Sequence, residues 1–509
     1  MRLKDLIADM PQKKVIGNPD VEIQGIAYHS AKVNRGTLFV ALYGMNVDGH
    51  NFTEEALDRG AAALVVTRHQ GIDKSVPLVI VPDGRAALAQ LSATFFGHPS
   101  RGMRLIGVTG TNGKTTTSYL IESIFKNGSL ACGVIGTINY RFCGCVMPAP
   151  MTTPESYDIQ RILREMLDSG ITDVVIEVSS HGVDLKRVDS CHFDVGVFTN
   201  FTQDHLDYHT DLDQYRQCKE HLFTTIIPGG DKPNRMAVIN LDDPTGENLW
   251  HRLSYAKTGY GIHRRASIWA QEVTNSAEGV EATVHTSEGT LRIHSPLVGD
   301  FNIYNIMAAM GTAMALGLSE ASIQDGIQTL SSVPGRMERI ENDQKLQIFV
   351  DYAHTPDALE RALMVLRPLR TKGRLITVLG CGGDRDRTKR PLMGGVVARL
   401  SDLSIITSDN PRSEPPGKII QEIELGFTSH ESRSLEREDL EGGAETKGYI
   451  KIENRREAIR LAIRTARPGD IILVAGKGHE DYQILGDRRI PFDDRTEVRR
   501  ALQKRFAKH

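Results

Sequence analysis

A glycine loop followed by a lysine and two threonines stands at residues 110–116, GTNGKTT, directly after an apolar run. The backbone N–H groups of such a loop and of a following helix can bind phosphates, the lysine can neutralise them, and the Thr115 hydroxyl can hold Mg²⁺. The strict pattern GxxxxGK followed by Ser or Thr is not met, because Val108 stands five residues before Gly113. A tight turn between strand and helix is the alternative, and the Lys-Thr pair favours phosphate binding.

Acidic and polar side chains follow two other apolar runs. Glu177 stands near the end of the run 174–178, and the polar segment 200–209 follows the run 195–199. Because parallel strands point their carboxyl ends at the ligand crevice, a carboxylate there can reach a metal held at the phosphate loop. The alternative for Glu177 is an acid paired with a nearby base, and for the polar segment it is a solvated loop. The two histidines of that segment lack the HExxH pattern of zinc sites.

The elements that must position these residues fall into three blocks of alternating strands and helices. For residues 1–99 we predict strands at 37–42, 62–66 and 78–81, a helix at 85–96 and a linker at 97–100. For residues 100–335 we predict strands at 105–109, 174–178, 195–199 and 236–240, and helices from 115, at 302–316 and at 321–330. For residues 336–509 we predict strands at 348–351, 375–379, 403–407 and 471–474, and helices at 356–366 and 455–466. Short apolar runs separated by helices favour an α/β fold with mostly parallel sheets.

Length and composition exclude several classes of protein. A chain of 509 residues with 40% hydrophobic and 25% charged residues is typical of a globular protein with three or four compact units. The net charge of −3 gives no electrostatic reason to bind nucleic acid or an anionic membrane. The six cysteines match neither a disulfide framework nor a zinc ribbon, and no apolar stretch is long enough to span a membrane. We therefore predict a cytoplasmic enzyme without a nucleic-acid or membrane partner.

Seven segments of the chain together resemble the Mur ligases of peptidoglycan synthesis. They are TGTNGKTT at 109–116, EVSSHG at 177–182, NFTQDHLDYH at 200–209, YRQCKEHLF at 215–223, GDFNIYN at 299–305, PGRME at 334–338 and DYAHTPD at 351–357. Their order matches the family over essentially the whole chain. The resemblance implies three domains: residues 1–99 for the UDP part of a substrate, 100–335 as a P-loop-type ATPase with a mostly parallel sheet, and 336–509 as a Rossmann-like domain for an amino acid.

The resemblance also implies a reaction. An ATP-dependent, amide-forming ligase of this kind adds meso-diaminopimelate to UDP-N-acetylmuramoyl-L-alanyl-D-glutamate. The γ-phosphate of ATP, the co-substrate, passes to the side-chain carboxylate of the D-glutamate, and the resulting acyl phosphate is attacked by an amine. Several anions must meet in such a reaction, so cations must hold them, and Mg²⁺ is the implied cofactor. The implied partners are these three substrates, and we expect a monomer.

Family roles transfer to individual positions of this chain. For ATP, the matching residues are Gly110, Thr111, Asn112, Gly113, Lys114, Thr115 and Thr116 in the loop, with Asn305 at the adenine, Arg336 at the phosphates and Asp351 at the ribose. For Mg²⁺, they are Thr115 and Glu177 at a first ion and His205 and a carbamylated Lys219 at a second ion; Lys114, Glu177, His205 and Lys219 form the implied catalytic set. For the UDP substrate, they are Ser30, Asn46, Thr152, Thr153, Ser179 and Arg187. A surface lysine on an amphipathic helix is the alternative for Lys219.

The choice of amino acid depends on the third block. The matching contacts to meso-diaminopimelate are Arg385, Asp409, Asn410, Pro411, Arg412, Gly476 and Glu480. Meso-diaminopimelate carries a distal carboxylate that lysine lacks, and a guanidinium binds a carboxylate with two hydrogen bonds. Arg412 is therefore the predicted selector, with a solvated turn residue as the alternative, and Glu480 is predicted to balance the distal ammonium.

Three other functions stay open at this point. The same ligation with L-lysine is one, and folylpolyglutamate synthesis is the second. Against the second, Thr115 occupies a position where that relative typically has glycine, and no folate motif is evident in the first hundred residues. A regulatory or scaffold protein that keeps the nucleotide loop is the third, and the joint presence of Lys114, Glu177, His205 and Lys219 disfavours it.

Overall fold

The computed structural model describes residues 1–44, 47–68, 71, 75–204, 208–344, 346–370, 373–441 and 447–506. The described strands form three large sheets and one two-stranded hairpin. Each large sheet has a hydrophobic cluster on either face; in one strand of the central sheet, for example, Leu105 belongs to one cluster and Ile106 to the other. Sheets covered on both faces require strands with continuous apolar runs, which is the pattern the sequence contains. The predicted α/β class with mostly parallel sheets is confirmed.

The N-terminal unit is built on five short strands. They are β1 (Lys14–Ile16), β2 (Gly25–Ala27), β3 (Thr37–Val40), β4 (Ala61–Val66) and β5 (Leu78–Ile80), in the spatial order β1-β5-β4-β3-β2. The β1–β5 pair is antiparallel and the other pairs are parallel. The helices are α1 (Leu3–Leu6), α2 (Thr53–Asp58) and α3 (Gly84–Phe95). Asp83 caps α3 by accepting hydrogen bonds from the backbone of Arg85 and Ala86.

The central unit holds an eleven-stranded sheet. Its strands are β6 (Arg104–Thr109), β7 (Cys132–Ile135), β8 (Asn139–Phe142), β9 (Cys145–Pro148), β10 (Asp173–Glu177), β11 (Val195–Phe198), β12 (Met236–Asn240), β13 (Ala256–Gly261), β14 (Ile268–Ser276), β15 (Gly279–His285) and β16 (Thr290–Ser295). Its helices are α4 (Lys114–Asn127), α5 (Ser156–Asp168), α6 (Ser180–Asp184), α7 (Leu212–His221), α8 (Ile227–Gly229), α9 (Pro244–Arg252), α10 (Phe301–Ala315) and α11 (Glu320–Thr329). The spatial order is β16-β15-β14-β13-β12-β11-β6-β10-β7-β8-β9.

Both edges of this central sheet are antiparallel, and the strands that form them were not among those predicted from the sequence. At one edge β14, β15 and β16 form a meander, and at the other β7, β8 and β9 do the same. Residues of β16 alternate strictly between exposed and buried, because one face of that strand meets water. A search for continuous apolar runs finds strands buried on both faces and passes over strands with this alternation.

The C-terminal unit contains a six-stranded sheet and a hairpin. The strands are β17 (Glu338–Arg339), β18 (Gln347–Asp351), β19 (Leu375–Leu379), β20 (Leu403–Ile406), β21 (Gly448–Lys451) and β22 (Ile471–Ala475), ordered β17-β18-β22-β19-β20-β21, with β23 (Tyr482–Leu485) and β24 (Arg488–Pro491) in the hairpin. The helices are α12 (Pro356–Leu369), α13 (Lys389–Leu400), α14 (Pro416–Thr428), α15 (Arg437–Glu441), α16 (Arg455–Thr465) and α17 (Asp494–Phe506). Except for β17, all neighbours in the large sheet are parallel.

The strand order brings the predicted site segments to one edge of the central sheet. β6 lies between β10 and β11, and all three are parallel, so the phosphate loop, Glu177 and the segment after β11 end side by side. The domain boundaries at residues 99 and 335 remain predictions. Among the described residues, the helices include none that is long and apolar enough to cross a membrane.

Candidate active site

The phosphate loop connects β6 to the first residue of α4. Gly113 caps the helix with φ +88°, and Gly110 has φ +143°, both of which favour glycine. A Cβ at Gly110 would lie 1.9 Å from Thr199 Oγ1, and a Cβ at Gly113 would lie 2.3 Å from Asn305 Oδ1. The loop is thus held tightly between the segment after β11 and helix α10. Its backbone conformation agrees with the predicted phosphate site.

Two lysine side chains meet at one backbone carbonyl of this loop. Lys114 Nζ donates to Gly110 O at 2.8 Å and to Thr111 O at 2.9 Å, and Lys219 Nζ donates to Gly110 O at 2.9 Å. Neither ammonium has a carboxylate within 4.0 Å among the described residues. Burial lowers the pKa of Lys114. The Lys114 ammonium, held only by carbonyls, leaves positive charge available for an anionic ligand.

Lys219 lies inside the protein, so the alternative of a surface lysine is wrong. It sits near the end of α7, is 1% exposed, and lies 4.5 Å from the centre of the Tyr215 ring. Burial, together with the charge of Lys114, lowers the pKa of Lys219 well below its usual value. An amine with a lowered pKa spends more of its time uncharged and is then a nucleophile.

Glu177 forms the acidic part of the site. It ends β10, is 1% exposed, and accepts hydrogen bonds from Thr115 Oγ1 at 2.9 Å, Thr137 Oγ1 at 2.7 Å and the Thr137 backbone N–H at 3.1 Å. Among the described residues no arginine or lysine pairs with it, so the alternative of a structural ion pair does not apply there. A hydroxyl and a carboxylate in contact supply the oxygen ligands that Mg²⁺ prefers. Thr115 and Glu177 therefore fit the first metal ion.

A cavity of about 600 Å³ opens in front of the loop. Loop residues 111–116 line it from the central unit, together with Asn305, and the C-terminal unit contributes Arg336 and Asp351. Arg336 Nη2 lies 3.4 Å from Thr115 Oγ1, and its guanidinium lies 4.6 Å from the centre of the Tyr352 ring. The predicted ATP residues from separate parts of the chain are thus brought to one cavity.

Asp351 and His354 face the same cavity in fixed orientations. The Asp351 carboxylate accepts hydrogen bonds from the backbone N–H of Met337 at 2.6 Å and of Ala353 at 2.7 Å, while burial raises its pKa. His354 Nδ1 lies 2.8 Å from Tyr352 O, and burial lowers the pKa of its imidazole. A neutral imidazole in this position donates from Nδ1 and leaves Nε2 as an acceptor.

A second cavity of about 490 Å³ continues from the first into the C-terminal unit. Asp204, Tyr352, His354 and Thr355 line both. Six of the seven predicted amino-acid contacts line the second cavity: Arg385, Asp409, Asn410, Arg412, Gly476 and Glu480. Pro411 is buried beside them and is absent from the described lining. The two cavities together place a nucleotide site next to an amino-acid site.

Charged groups in the second cavity are already paired with one another. Asn410 Nδ2 donates to Glu480 Oε2 at 2.8 Å, and Lys477 Nζ donates to the same oxygen at 3.0 Å and to Asn410 Oδ1 at 3.1 Å. Lys477 is fully buried and also lies 3.5 Å from Asp409. Burial would raise the pKa of Asp409, but Lys477, Arg455 and His354 together outweigh the burial and lower that pKa. Burial raises the pKa of Glu480.

Arg412 has an unusual backbone that aims its side chain. Its φ is +53°, its N–H donates to Ile484 O at 3.1 Å, and its Nη1 donates to Gly383 O at 2.6 Å. Arg412 is half-buried, so the alternative of a solvated turn residue does not describe its surroundings. Arg385, in contrast, is exposed and donates to Asp384 O at 3.3 Å.

The predicted contacts to the UDP substrate are brought together only in part. Thr152 and Ser179 line the first cavity, and Thr152 Oγ1 lies 3.0 Å from Thr137 Oγ1, next to Glu177. Thr153 and Arg187 lie behind them, with Arg187 Nη1 donating to Thr153 O at 2.9 Å. Ser30 is buried at the first residue of a 3₁₀-helix in the N-terminal unit and lines neither cavity. Asn46 and His205 lie outside the described residues.

Two polar residues of the site were not predicted from the sequence. Lys477 stands between Gly476 and Glu480, both of which were selected, and a lysine flanked by two glycines was the available signal. Thr137 follows β7 in a segment without a distinguishing pattern, and its contact to Glu177 depends on the sheet order alone.

Comparison with known proteins agrees with this geometry. Family models described as "Mur ligase family, catalytic domain", "Mur ligase middle domain" and "Mur ligase, glutamate ligase domain" match residues 22–96, 108–313 and 335–478. The chain is 48% identical to the UDP-N-acetylmuramoyl-L-alanyl-D-glutamate–2,6-diaminopimelate ligase of Geobacter metallireducens, over 100% of this chain and 99% of that protein.

Comparison with solved structures also finds Mur ligases. A structure titled as a UDP-N-acetylmuramoyl-L-alanyl-D-glutamate–2,6-diaminopimelate ligase superposes with a TM-score of 0.69 at 30% identity, covering 99% of both chains. The MurF ligase of Thermotoga maritima in complex with ADP shares the fold, with a TM-score of 0.62 at 19% identity over 95% of this chain and 98% of that one. The predictions of a ligase and of its family are confirmed: the chain belongs to the Mur ligase family.

Proposed function

We propose that this ligase uses ATP to add meso-diaminopimelate to UDP-N-acetylmuramoyl-L-alanyl-D-glutamate, a step of peptidoglycan synthesis. The observation that carries the proposal is the pair of contiguous cavities. One surrounds the glycine-lysine loop, the other is lined by Arg412, Asn410 and Glu480, and Tyr352 and His354 line both. The full-length identity to a relative named for 2,6-diaminopimelate supports the choice of amino acid.

ATP binds in the first cavity under this proposal. The backbone of residues 110–113 and the start of α4 hold the phosphates, and Lys114 leaves its two carbonyl partners to contact them. Asn305 contacts the adenine, Asp351 the ribose, and Arg336 the phosphates. Thr115 and Glu177 hold Mg²⁺, which supplies charge compensation for the phosphate groups when bound.

Lys219 becomes a carbamate in the proposed enzyme. The lowered pKa of its amine favours the uncharged form that adds to carbon dioxide, forming an N–C bond and releasing one proton. The carbamate is an anion and would serve as an oxygen ligand of a second Mg²⁺, with His205 as the other proposed protein ligand. Lys114 is close enough to share Gly110 O with Lys219 and would balance the new charge.

The proposed reaction follows from the substrates assigned to the two cavities. The side-chain carboxylate of the D-glutamate attacks the γ-phosphate, and ADP leaves. The amine of meso-diaminopimelate then attacks the acyl phosphate, and phosphate leaves as the amide forms. The chain positions the reactants: Thr152, Ser179 and Arg187 hold the peptide end of the nucleotide substrate, and Ser30 and Asn46 hold its uridine end.

The second cavity selects the amino acid. Arg412 exchanges its bond to Gly383 O for the distal carboxylate, and Asn410, Asp409, Arg385 and Gly476 complete the contacts. Glu480 contacts the distal ammonium. The enzyme is proposed to act as a monomer, and its six free thiols suit the reducing cytoplasm as its compartment.

The deciding experiment is a product assay. The protein is incubated with ATP, Mg²⁺, UDP-N-acetylmuramoyl-L-alanyl-D-glutamate and one amino acid at a time: meso-diaminopimelate, L-lysine or L-glutamate. We expect phosphate release that requires both the nucleotide and meso-diaminopimelate, and a product with the summed mass of the two less one water. A folate with L-glutamate in place of these substrates serves as the control for folylpolyglutamate synthesis. Equal use of L-lysine, or a product only with folate, would overturn the proposal.

A further inference from the structure

A buried ion-pair network lies directly beneath the two loops that carry Arg385 and Arg412. Its centre is Arg390, near the start of α13, whose side chain is completely buried. Arg390 Nη2 and Nη1 donate to the two carboxylate oxygens of Glu414 at 2.7 and 2.9 Å, and Nη1 also donates to Glu422 at 2.6 Å. A guanidinium held by two carboxylates has one orientation, because the planar fork matches the carboxylate geometry.

The network extends from Arg390 into both loops. Arg390 Nη2 donates to Gly382 O at 3.1 Å, which fixes the loop after β19. Glu414, in the loop after β20, accepts a hydrogen bond from the Asp384 backbone N–H at 2.7 Å. The Arg390 guanidinium lowers the pKa of Glu414 to about 2, so the carboxylate is charged at neutral pH.

The two loops also touch each other through backbone. Gly383 N–H donates to Asn410 O at 2.9 Å, and a Cβ at Gly383 would lie 1.8 Å from Pro411 O. On the outer side, Ser413 Oγ donates to Asp384 Oδ1 at 2.6 Å. Arg412 Nη1 donates to Gly383 O, so its side chain rests on the neighbouring loop. The position of one loop therefore sets the position of the other.

We propose that Arg390 and Glu414 are positioning residues that fix the spacing of the two arginine-bearing loops and so determine the preference for an amino acid with a distal carboxylate. This rests on the proposed function. Neither residue is among those that line the second cavity, and each acts through loops that do. A shift of about 1 Å in a binding group can cost on the order of a hundredfold in rate, so loosening the spacing should weaken the discrimination between diacid and lysine.

Arg399 supplies a matched control. It lies on α13 like Arg390 and forms an exposed pair with Glu360 at 3.0 Å. Loss of that pair removes an arginine from the same helix without touching either loop. Glu422 does not serve as a control, because it accepts hydrogen bonds from both Arg390 and Arg387, and Arg387 lies in the loop after β19.

The test compares kcat and KM for meso-diaminopimelate, L-lysine, ATP and the nucleotide substrate. The proteins are the wild type, Glu414→Gln, Arg390→Lys and Arg399→Ala, and the Tm of each is measured. For Glu414→Gln we expect the KM for meso-diaminopimelate to rise about tenfold or more, with a narrower preference over lysine and a KM for ATP within about twofold. Arg390→Lys should behave like Glu414→Gln, and Arg399→Ala should match the wild type.

The remaining outcomes count against this inference or against the proposed function. Unchanged KM and preference in Glu414→Gln, or an equal loss for all substrates together with a large fall in Tm, would reduce the network to a structural role. If Glu414→Gln does not fold, Arg390→Lys is judged by the same criteria, together with Asp384→Asn, which weakens the Ser413–Asp384 contact between the same two loops. If the wild type does not use 2,6-diaminopimelate, the proposed function is overturned. If the wild type and Glu414→Gln both keep the preference for meso-diaminopimelate over L-lysine, only this inference is overturned.

Discussion

The two cavities differ in how their charged side chains are satisfied before any ligand is present. At the phosphate loop, the Lys114 ammonium donates only to backbone carbonyls among the described residues, so no described carboxylate is in direct contact with its positive charge. At the second cavity, the lining residue Glu480 is bonded to the buried Lys477, and the lining residue Asp409 lies close to the same ammonium. The first arrangement suits a polyanion such as ATP. The second suits a zwitterion, whose carboxylates and ammonium groups cancel.

This difference indicates where each site is vulnerable. A cation at the first cavity acts through its own charge, so its removal should abolish the chemistry. A charged residue in the second cavity acts through geometry and pairing, so its removal should change which amino acid is chosen. Four substitutions test this contrast, in order of the expected effect.

Lys114→Ala should have the largest effect. The loop loses its cation at the transferring phosphate, and we expect kcat to fall about 10²–10³-fold or more while Tm changes little. Phosphate release in the complete reaction measures this, and Lys126→Ala, an exposed lysine on the same helix, is the control. Near-normal turnover of Lys114→Ala would remove the phosphate-loop assignment and with it the contrast.

Lys219→Ala should cause the next largest loss of turnover, because a neutral methyl group cannot replace a carbamate. We expect a loss on the order of a hundredfold that added short carboxylic acids restore in part, and intact-mass analysis of the wild type should show one added carbon dioxide. An unmodified wild type together with a variant that no acid rescues would contradict the carbamate and leave Lys219 as a buried amine.

Arg412→Ala should change selection more than turnover. Loss of a charge-assisted pair typically costs ~2–5 kcal/mol, so the KM for meso-diaminopimelate should rise tens-fold or more and the preference over lysine should narrow. The KM for ATP should stay near that of the wild type, since Arg412 does not line the first cavity. A side-by-side kcat/KM comparison measures this; a variant that keeps the full preference would show that Arg412 is not the selector.

Glu414→Gln should have the smallest of the four effects. This effect is on the free energy of unfolding, and it depends on pH. The pKa of Glu414 is held at about 2 by Arg390, below its usual 4.5, so its contribution to folding is present above about pH 4.5 and is lost as the pH falls towards 2. Since Glu414 is only partly buried, we expect the difference in unfolding free energy to be about 1 kcal/mol or less at pH 7. Urea unfolding at several pH values should show the wild type and the variant converging in acid; a constant difference would contradict the ion pair.

Sequence patterns predicted the first cavity better than the second. The loop, Glu177 and the residues after β11 each adjoin a strand with a continuous apolar run, and parallel strands end at a common edge. Thr137 was not predicted, because its contact with Glu177 arises only from the pairing of β7 with β10 in the sheet. Lys477 and Arg390 support the second cavity without lining it, and they were not predicted from the sequence because their partners Asn410 and Glu414 lie on other segments of the chain.

The sequence by itself determined the α/β class, the central parallel strands and the residue types of the nucleotide site, because burial on both faces and the glycine loop leave local patterns. It also indicated the family through seven ordered segments. The tertiary structure decided what depends on distance: the burial of Lys219, the antiparallel edges of the central sheet, and the joining of two cavities across the central and C-terminal units. Packing brings together side chains that are hundreds of residues apart, and no local pattern records such pairs.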